Sequence, residues 1–161
     1  MVNERLALLR DYPFRSLDAL LADIQPPPGL EELIMSIGEP QHPYPDFVRS
    51  VLVENSGLWG KYPPTAGTIE LRRSIASWLT RRYGLTADTI DPNKNVLPVA
   101  GTREALFLVA LMATPQISKG LCPTVLIPDP FYQIYSGAAI MAGAEPIYLP
   151  TSEKSGFLPD F

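Results

Sequence analysis

Apolar positions follow a helical period in the first half of the chain and form short continuous runs in the second. Phe14, Leu17, Leu20, Leu21 and Ile24 stand at helical spacing and predict a helix over 14–24. The run Pro26-Pro27-Pro28-Gly29 stops it, because consecutive prolines cannot continue a helix. Leu33 to Ile37 reads as a short extended stretch leading into Gly38-Glu39-Pro40. Pro45 opens a second helix through Glu54, with Phe47, Val48, Val51 and Leu52 as its apolar side. A third carries Leu71, Ile75, Trp78 and Leu79 on one face, starts near Thr68 and stops at Gly84.

Beyond Gly84 the pattern changes. Asn95–Val99, Thr124–Ile127 and Pro146–Leu149 read as strands; Arg103–Met112 and Ile134–Met141 read as helices. Continuous apolar strands suit a parallel sheet buried on both faces. Two β-α-β units in succession predict an α/β layered domain with right-handed crossovers. A three-stranded sheet closing at Leu149 would leave an apolar edge. Met1 reads as a start and the chain as the front part of a longer protein, reaching as far as Phe161.

Composition narrows the classes. Proline supplies 18 of 161 residues, about twice the usual share, so it punctuates structured segments. Thirteen basic against seventeen acidic residues leave a net charge of −4, with no basic stripe for nucleic acid. The longest apolar run, Ala105 to Ala113, is less than half of the roughly 20 residues a membrane span needs. Glu4, Arg5, Arg10 and Asp11 interrupt what would be the apolar core of a signal peptide. One cysteine and one histidine make neither an internal disulfide nor a zinc cluster. A cytoplasmic, metal-free protein is expected, with His42 in a solvated turn and Cys122 a small buried apolar side chain.

Ligands of α/β sheets bind at the carboxyl ends of strands, which directs attention to two strand-to-helix turns. In the first, Gly101-Thr102-Arg103 opens a helix. Free amides and the positive end of a helix dipole make it a phosphate cradle, though an ordinary helix cap would look the same. It has neither the Gly-x-Gly-x-x-Gly of dinucleotide folds nor a P-loop. In the second, Pro128-Asp129-Pro130 delivers Phe131 and Tyr132 to the same sheet edge. An aromatic face there would stack on a flat heteroaromatic ring, while either ring alone would also serve as core. A cradle beside a stacking ring points to a phosphorylated aromatic cofactor.

These residues carry a resemblance. Ser36-Ile37-Gly38-Glu39-Pro40, Lys61-Tyr62-Pro63-Pro64-Thr65-Ala66-Gly67 and Glu70-Leu71-Arg72 come first. Gly101 to Leu106, Pro130 to Tyr135 and Ala142-Gly143-Ala144-Glu145-Pro146 follow. In this order they resemble the N-terminal part of class I/II, fold-type I aminotransferases, which depend on pyridoxal 5'-phosphate. More narrowly, Arg5-Leu6 through Tyr12-Pro13-Phe14 and Asp129 through Ala139 resemble the bacterial N-succinyldiaminopimelate aminotransferases of lysine biosynthesis. The resemblance implies an N-terminal arm and small-domain segment over 1–45. It implies the beginning of a large cofactor-binding α/β domain, with a mainly parallel sheet, over 46–161.

The resemblance also implies roles. The amides of Thr102 and Arg103, after Gly101, would hold the cofactor phosphate. Tyr132 would stack on its ring, with Phe131 as rival. Gly38, beside Ile37, would meet the substrate carboxylate, and Tyr62 would reach the phosphate of the neighbouring subunit in a homodimer. The substrates implied are glutamate and a 2-oxo acid, N-succinyl-2-amino-6-ketopimelate, with an aspartate- or alanine-type enzyme as the alternative. Lys61, Lys94, Lys119 and Lys154 do not match the context of the family's Schiff-base lysine, which is expected beyond Phe161. The aspartate for the ring nitrogen, an Asn-Pro-x-Asn-Pro loop and the carboxylate-clamping arginine are likewise missing, so the chain alone is expected to be inactive. Two rival readings are a non-catalytic module of the same fold that senses the cofactor, and an unrelated α/β nucleotide binder.

Overall fold

A computed structural model describes residues 2–31, 33–115 and 120–159. Lys119 and the terminal residues Met1 and Phe161 lie outside the described residues. The chain forms two compact units, residues 37–99 and residues 1–36 with 100–161.

The discontinuous unit holds the sheet. A 3-10 turn, Glu4–Leu8, leads into helix α1, Pro13–Leu21. Pro13 occupies its first turn, where the missing N–H costs nothing. Helix α4 spans Thr102–Ala113, strand β1 Thr124–Asp129, helix α5 Ile134–Ala142 and strand β2 Glu145–Pro150. β1 and β2 run parallel, in register from Thr124 opposite Glu145 to Asp129 opposite Pro150. Helix α5 crosses between them and packs on both strands, on α4 and on the N-terminal 3-10 turn. Its small Ser136, Ala138 and Ala139 are buried, and Ile127 of β1 is the largest fully buried side chain among the described residues. Ser136 Oγ and Tyr148 Oη share a hydrogen bond of 2.7 Å, which satisfies both hydroxyls against the sheet. Gly143 ends α5 at φ +83°, with the Arg5 guanidinium 2.7 Å from where a Cβ would lie.

In the other unit, helix α2 spans Phe47–Glu54 and helix α3 spans Ile69–Tyr83. The Thr68 hydroxyl caps α3 by accepting from the Leu71 amide at 3.3 Å, and Gly84 closes it at φ +60°. Arg72 Nη1 donates to the Pro92 carbonyl at 2.9 Å and to Asn93 Oδ1 at 3.0 Å, tying α3 to the turn after it.

Five expectations need correction. Asn95–Val99 forms no strand ladder among the described residues. Pro98 within it has no N–H to donate, and the segment belongs to a different unit from β1 and β2. Among the described residues the sheet therefore has two strands and one complete β-α-β unit, where two units were expected. It is not buried on both faces: Leu126 and Ile147 are 51% and 40% exposed. Cys122 is exposed, because it lies ahead of the β1–β2 register, which begins at Thr124. The first helix also ends at Leu21, short of the prolines.

Much apolar surface stays uncovered. A compact monomer of 17.7 kDa exposes about 7,900 Å², and two independent halves about 9,600 Å². This chain exposes 14271 Å². Helix α4 shows why: apolar on every side, it leaves Leu108, Val109 and Met112 more than half exposed, whereas a helix of that character belongs inside.

Candidate cofactor site

Gly101 precedes α4 with extended backbone (φ −174°, ψ 155°), and among the described residues no side chain caps the helix. Its carbonyl accepts from the Ala105 amide at 3.1 Å, closing the first turn. The amides of Thr102 and Arg103 then donate to no acceptor among the described residues. They stand at the positive end of a twelve-residue helix dipole. The Glu104 carboxylate reaches back beside them, with Oε2 2.5 Å from where a Gly101 Cβ would lie. That contact suits the dipole, and an incoming phosphate would displace the exposed, flexible carboxylate.

The second turn lies at the carboxyl end of β1. The Asp129 carbonyl accepts from both the amide and the hydroxyl of Thr151, at 3.0 and 2.8 Å. This fixes the turn against the end of β2. Phe131 and Tyr132 then diverge. Phe131 lies over Tyr148, centroids 4.9 Å apart and planes at 32°. Tyr132 meets Tyr135 edge-on, at 5.8 Å and 87°, an arrangement that leaves a ring face uncovered by Tyr135. It is 41% exposed.

One hydrogen bond ties the two turns together. Arg103 Nε donates to Tyr132 Oη at 2.7 Å, with the guanidinium carbon 5.8 Å from the ring centroid. The Arg103 pKa is raised above its ordinary value, first by this hydrogen bond and the charge interaction with Tyr132, then by the Tyr12 hydroxyl. The guanidinium stays charged at every physiological pH.

Thr102, Arg103 and Tyr132 are thus brought together in one unit. Ile37, Gly38 and Tyr62 belong to the other unit. Ile37 and Gly38 are exposed, no atom approaches the Cβ position of Gly38 within 4 Å, and the Tyr62 side chain is fully exposed. His42 sits exposed at a bend. Among the described residues no cluster of histidine, cysteine and acidic side chains is placed to hold a metal. No helix among them is long and apolar enough to cross a membrane.

Sequence reasoning assigned no role to Tyr12. Tyr12, Pro13 and Phe14 face Asp129 to Gln133 across a cleft of about 360 Å³. The aromatic-Pro-aromatic triplet at the start of α1 was the available signal, but nothing local says which distant residues it meets.

The model of the aminotransferase class I and II family matches residues 31–161. The chain belongs to that family. An aminotransferase from Neisseria meningitidis has a similar solved structure, with TM-score 0.88 and 39% identity over 99% of this chain and 39% of its own. Aminotransferase AspB from Helicobacter pylori superposes with TM-score 0.81 at 31% identity, over 95% of this chain and 38% of its own. Among curated relatives, the LL-diaminopimelate aminotransferase of Desulforudis audaxviator is 31% identical over 98% of this chain and 38% of its own length. The chain therefore spans about two fifths of the length of such relatives and has the N-terminal part of the fold-type I α/β architecture. Aminotransferases of this family depend on pyridoxal phosphate. The residues present fit that group, with acceptor-free amides at a helix start for a phosphate and an aromatic ring beside them for a heteroaromatic.

Proposed function

We propose that the chain is the cofactor-seating front part of a pyridoxal-phosphate-dependent transaminase. The supporting observation is the Arg103–Tyr132 hydrogen bond, which joins a phosphate-binding helix start to an aromatic ring within one unit. In this reading the amides of Thr102 and Arg103, after Gly101, hold the phosphate, and the Tyr132 ring lies on a face of the pyridine. Gly38 presents its amide to the substrate carboxylate, with Ile37 alongside. Tyr62 extends to the phosphate in the neighbouring subunit of a homodimer. Residues 1–45 act as arm and small-domain segment, and 46–161 as the beginning of the large domain. When bound, pyridoxal phosphate supplies the electron sink for bond breaking at the substrate Cα. The chain's own residues hold and orient the group. The proton-carrying lysine belongs to the remainder of the full-length protein, which we place in the cytoplasm.

The substrates proposed are glutamate and N-succinyl-2-amino-6-ketopimelate, on the strength of the Arg5–Phe14 and Asp129–Ala139 segments. The name of the Desulforudis audaxviator relative favours a second reading, in which free LL-diaminopimelate is the amino donor. An aspartate- or alanine-type preference is the third. The full-length protein, given pyridoxal phosphate and 2-oxoglutarate, is assayed for glutamate formation with each donor in turn. At least a tenfold higher kcat/KM with N-succinyl-LL-diaminopimelate is expected. The reverse preference establishes the second reading. Failure to transaminate any of the four donors overturns the proposal.

A further inference from the structure

Arg103 enters the phosphate cradle through its amide, and its guanidinium engages a different partner. Nε donates to Tyr132 Oη at 2.7 Å, a side-chain bond across twenty-nine residues of sequence. At one end of that bond stands the first turn of α4, closed by the 3.1 Å bond from the Ala105 amide to the Gly101 carbonyl. At the other end, the Tyr132 carbonyl accepts from the Tyr135 amide at 2.9 Å, and the two tyrosine rings meet edge-on. Tyr132 is thus held at its backbone, by a neighbouring ring and at its hydroxyl. Among the described residues no carboxylate forms an ion pair with the guanidinium. Glu104 beside it reaches toward Gly101 instead.

Tyr132 is 41% exposed, and an exposed tyrosine moves among several staggered rotamers unless something holds it. A ring that orders only on binding loses affinity to that ordering, whereas a ring already ordered does not. A bond to its hydroxyl from the start of a helix supplies such an anchor. The residue type fits this use better than that of a bare counter-charge for a phosphate. Lysine would supply the charge equally well, but only arginine offers an Nε–H within a rigid fork. We propose that the Arg103 guanidinium is a positioning group of the cofactor site, holding Tyr132 by its hydroxyl so that the ring is oriented before a flat partner is seated on it. The guanidinium then serves the heteroaromatic end of the cofactor, while the amide of the same residue serves the phosphate. This inference rests on the reading of Thr102, Arg103 and Tyr132 as the cofactor seat.

The test titrates the full-length apoprotein with pyridoxal phosphate and with pyridoxal, which has the same ring and no phosphate. Absorbance of the bound cofactor and the melting midpoint of the apoprotein are followed alongside. Arg103→Met is expected to weaken both ligands by the same factor, about three- to tenfold, the effect of ordering one side chain on binding, with the apoprotein midpoint unchanged. In a Tyr132→Phe background the same change is expected to have less than a twofold effect, because the hydroxyl it acts on is gone. Arg103→Lys keeps the charge without the Nε donor and is expected to lose as much as Arg103→Met. It makes the distinction with pyridoxal phosphate alone, and it also serves should Arg103→Met not fold. A loss confined to pyridoxal phosphate, or one that Arg103→Lys restores, assigns the guanidinium to the phosphate charge and overturns the inference. An undiminished loss in the Tyr132→Phe background also overturns it, because Arg103 then acts by another route. Wild-type retention in Arg103→Met, alongside impaired retention in Tyr132→Ala, overturns the inference and leaves the seat intact. Unimpaired retention in Tyr132→Ala overturns the seat itself, and the inference with it.

Discussion

Tyr132 has two separable properties, a ring face and a hydroxyl, and each predicts a different cost when removed. Stacking needs only the ring, so Tyr132→Phe in the full-length protein loses the bond from Arg103 Nε and little else. Tyr132→Ala loses the stacking surface as well. Retention of pyridoxal phosphate is expected to fall a few-fold in the first and about ten- to a hundredfold in the second, read from dialysis and the cofactor absorbance band. Phe131→Ala should leave that band in place and lower stability, because its ring is committed to Tyr148. At 38% exposure the loss should be about 1–2 kcal/mol, below the roughly 3–5 kcal/mol of a fully buried phenylalanine. A band shift in Phe131→Ala with none in Tyr132→Ala would exchange the two assignments. The candidate cradle and ring were legible in the sequence because glycine and proline mark the turns that carry them. Tyr12 was not, because the turn it faces across the cleft, Asp129 to Gln133, lies far along the chain and no local periodicity encodes that meeting. Cys122 misled for a related reason: small apolar character predicts burial only where a neighbouring element arrives to cover the residue.

Helix boundaries are written in local chemistry, and α3 shows both ends of the rule. Thr68 and Gly84 mark its limits through a hydroxyl cap and a left-handed closing residue. Thr68→Ala should lower the stability of the full-length protein by about 1 kcal/mol. Two glycines of this unit then offer a comparison that separates conformation from space. Gly84 sits at φ +60° with nothing within 4 Å of its Cβ position, so Gly84→Ala should cost about 1–2 kcal/mol from the backbone alone. Gly67 sits at φ +75°, and an added Cβ would lie 2.7 Å from Pro98 Cγ, a ring atom that cannot swing away. Gly67→Ala should therefore cost more than Gly84→Ala by about 1–3 kcal/mol. Equal midpoints for the two variants in denaturant titration would show that Pro98 yields. The same Pro98 helps explain why the run Asn95–Val99 was misread. Its apolar character suits a strand, but pairing is decided by a distant partner and by available N–H groups, and a proline supplies none. β1 and β2 were legible because their apolar runs flank a helix of crossover length, the arrangement parallel pairing requires.

At the scale of the whole molecule, uncovered apolar surface dominates. The 14271 Å² of accessible area exceeds even the roughly 9,600 Å² of two independent compact halves. The 161 residues expressed alone should show no cooperative thermal transition and should bind a hydrophobic dye. Borohydride treatment with pyridoxal phosphate should label lysines only diffusely; stoichiometric modification of one among Lys61, Lys94, Lys119 and Lys154 would contradict that. The sequence could not announce this exposure, because apolar helices and strands read the same whether or not their neighbours are at hand. In the proposed homodimer a second subunit supplies some of that cover, and Tyr62 is where that proposal becomes testable. Its side chain is fully exposed, and Pro63 and Pro64 restrict the loop that follows it. Such a side chain reaches a neighbour with little ordering cost. If its destination is the phosphate held by the partner's Thr102 and Arg103, each active site is shared, and two different lesions can be sorted into one site. Full-length Tyr62→Ala is therefore mixed with a full-length variant in which alanine replaces the lysine that bonds the cofactor. Each homodimer alone is impaired at both sites. In a mixed dimer one site carries both lesions and the other carries neither, so activity should rise on subunit exchange toward a quarter of the wild-type value in a random equimolar mixture. Activity that stays at the average of the two parents after verified exchange would place Tyr62 within its own subunit's site, or outside both.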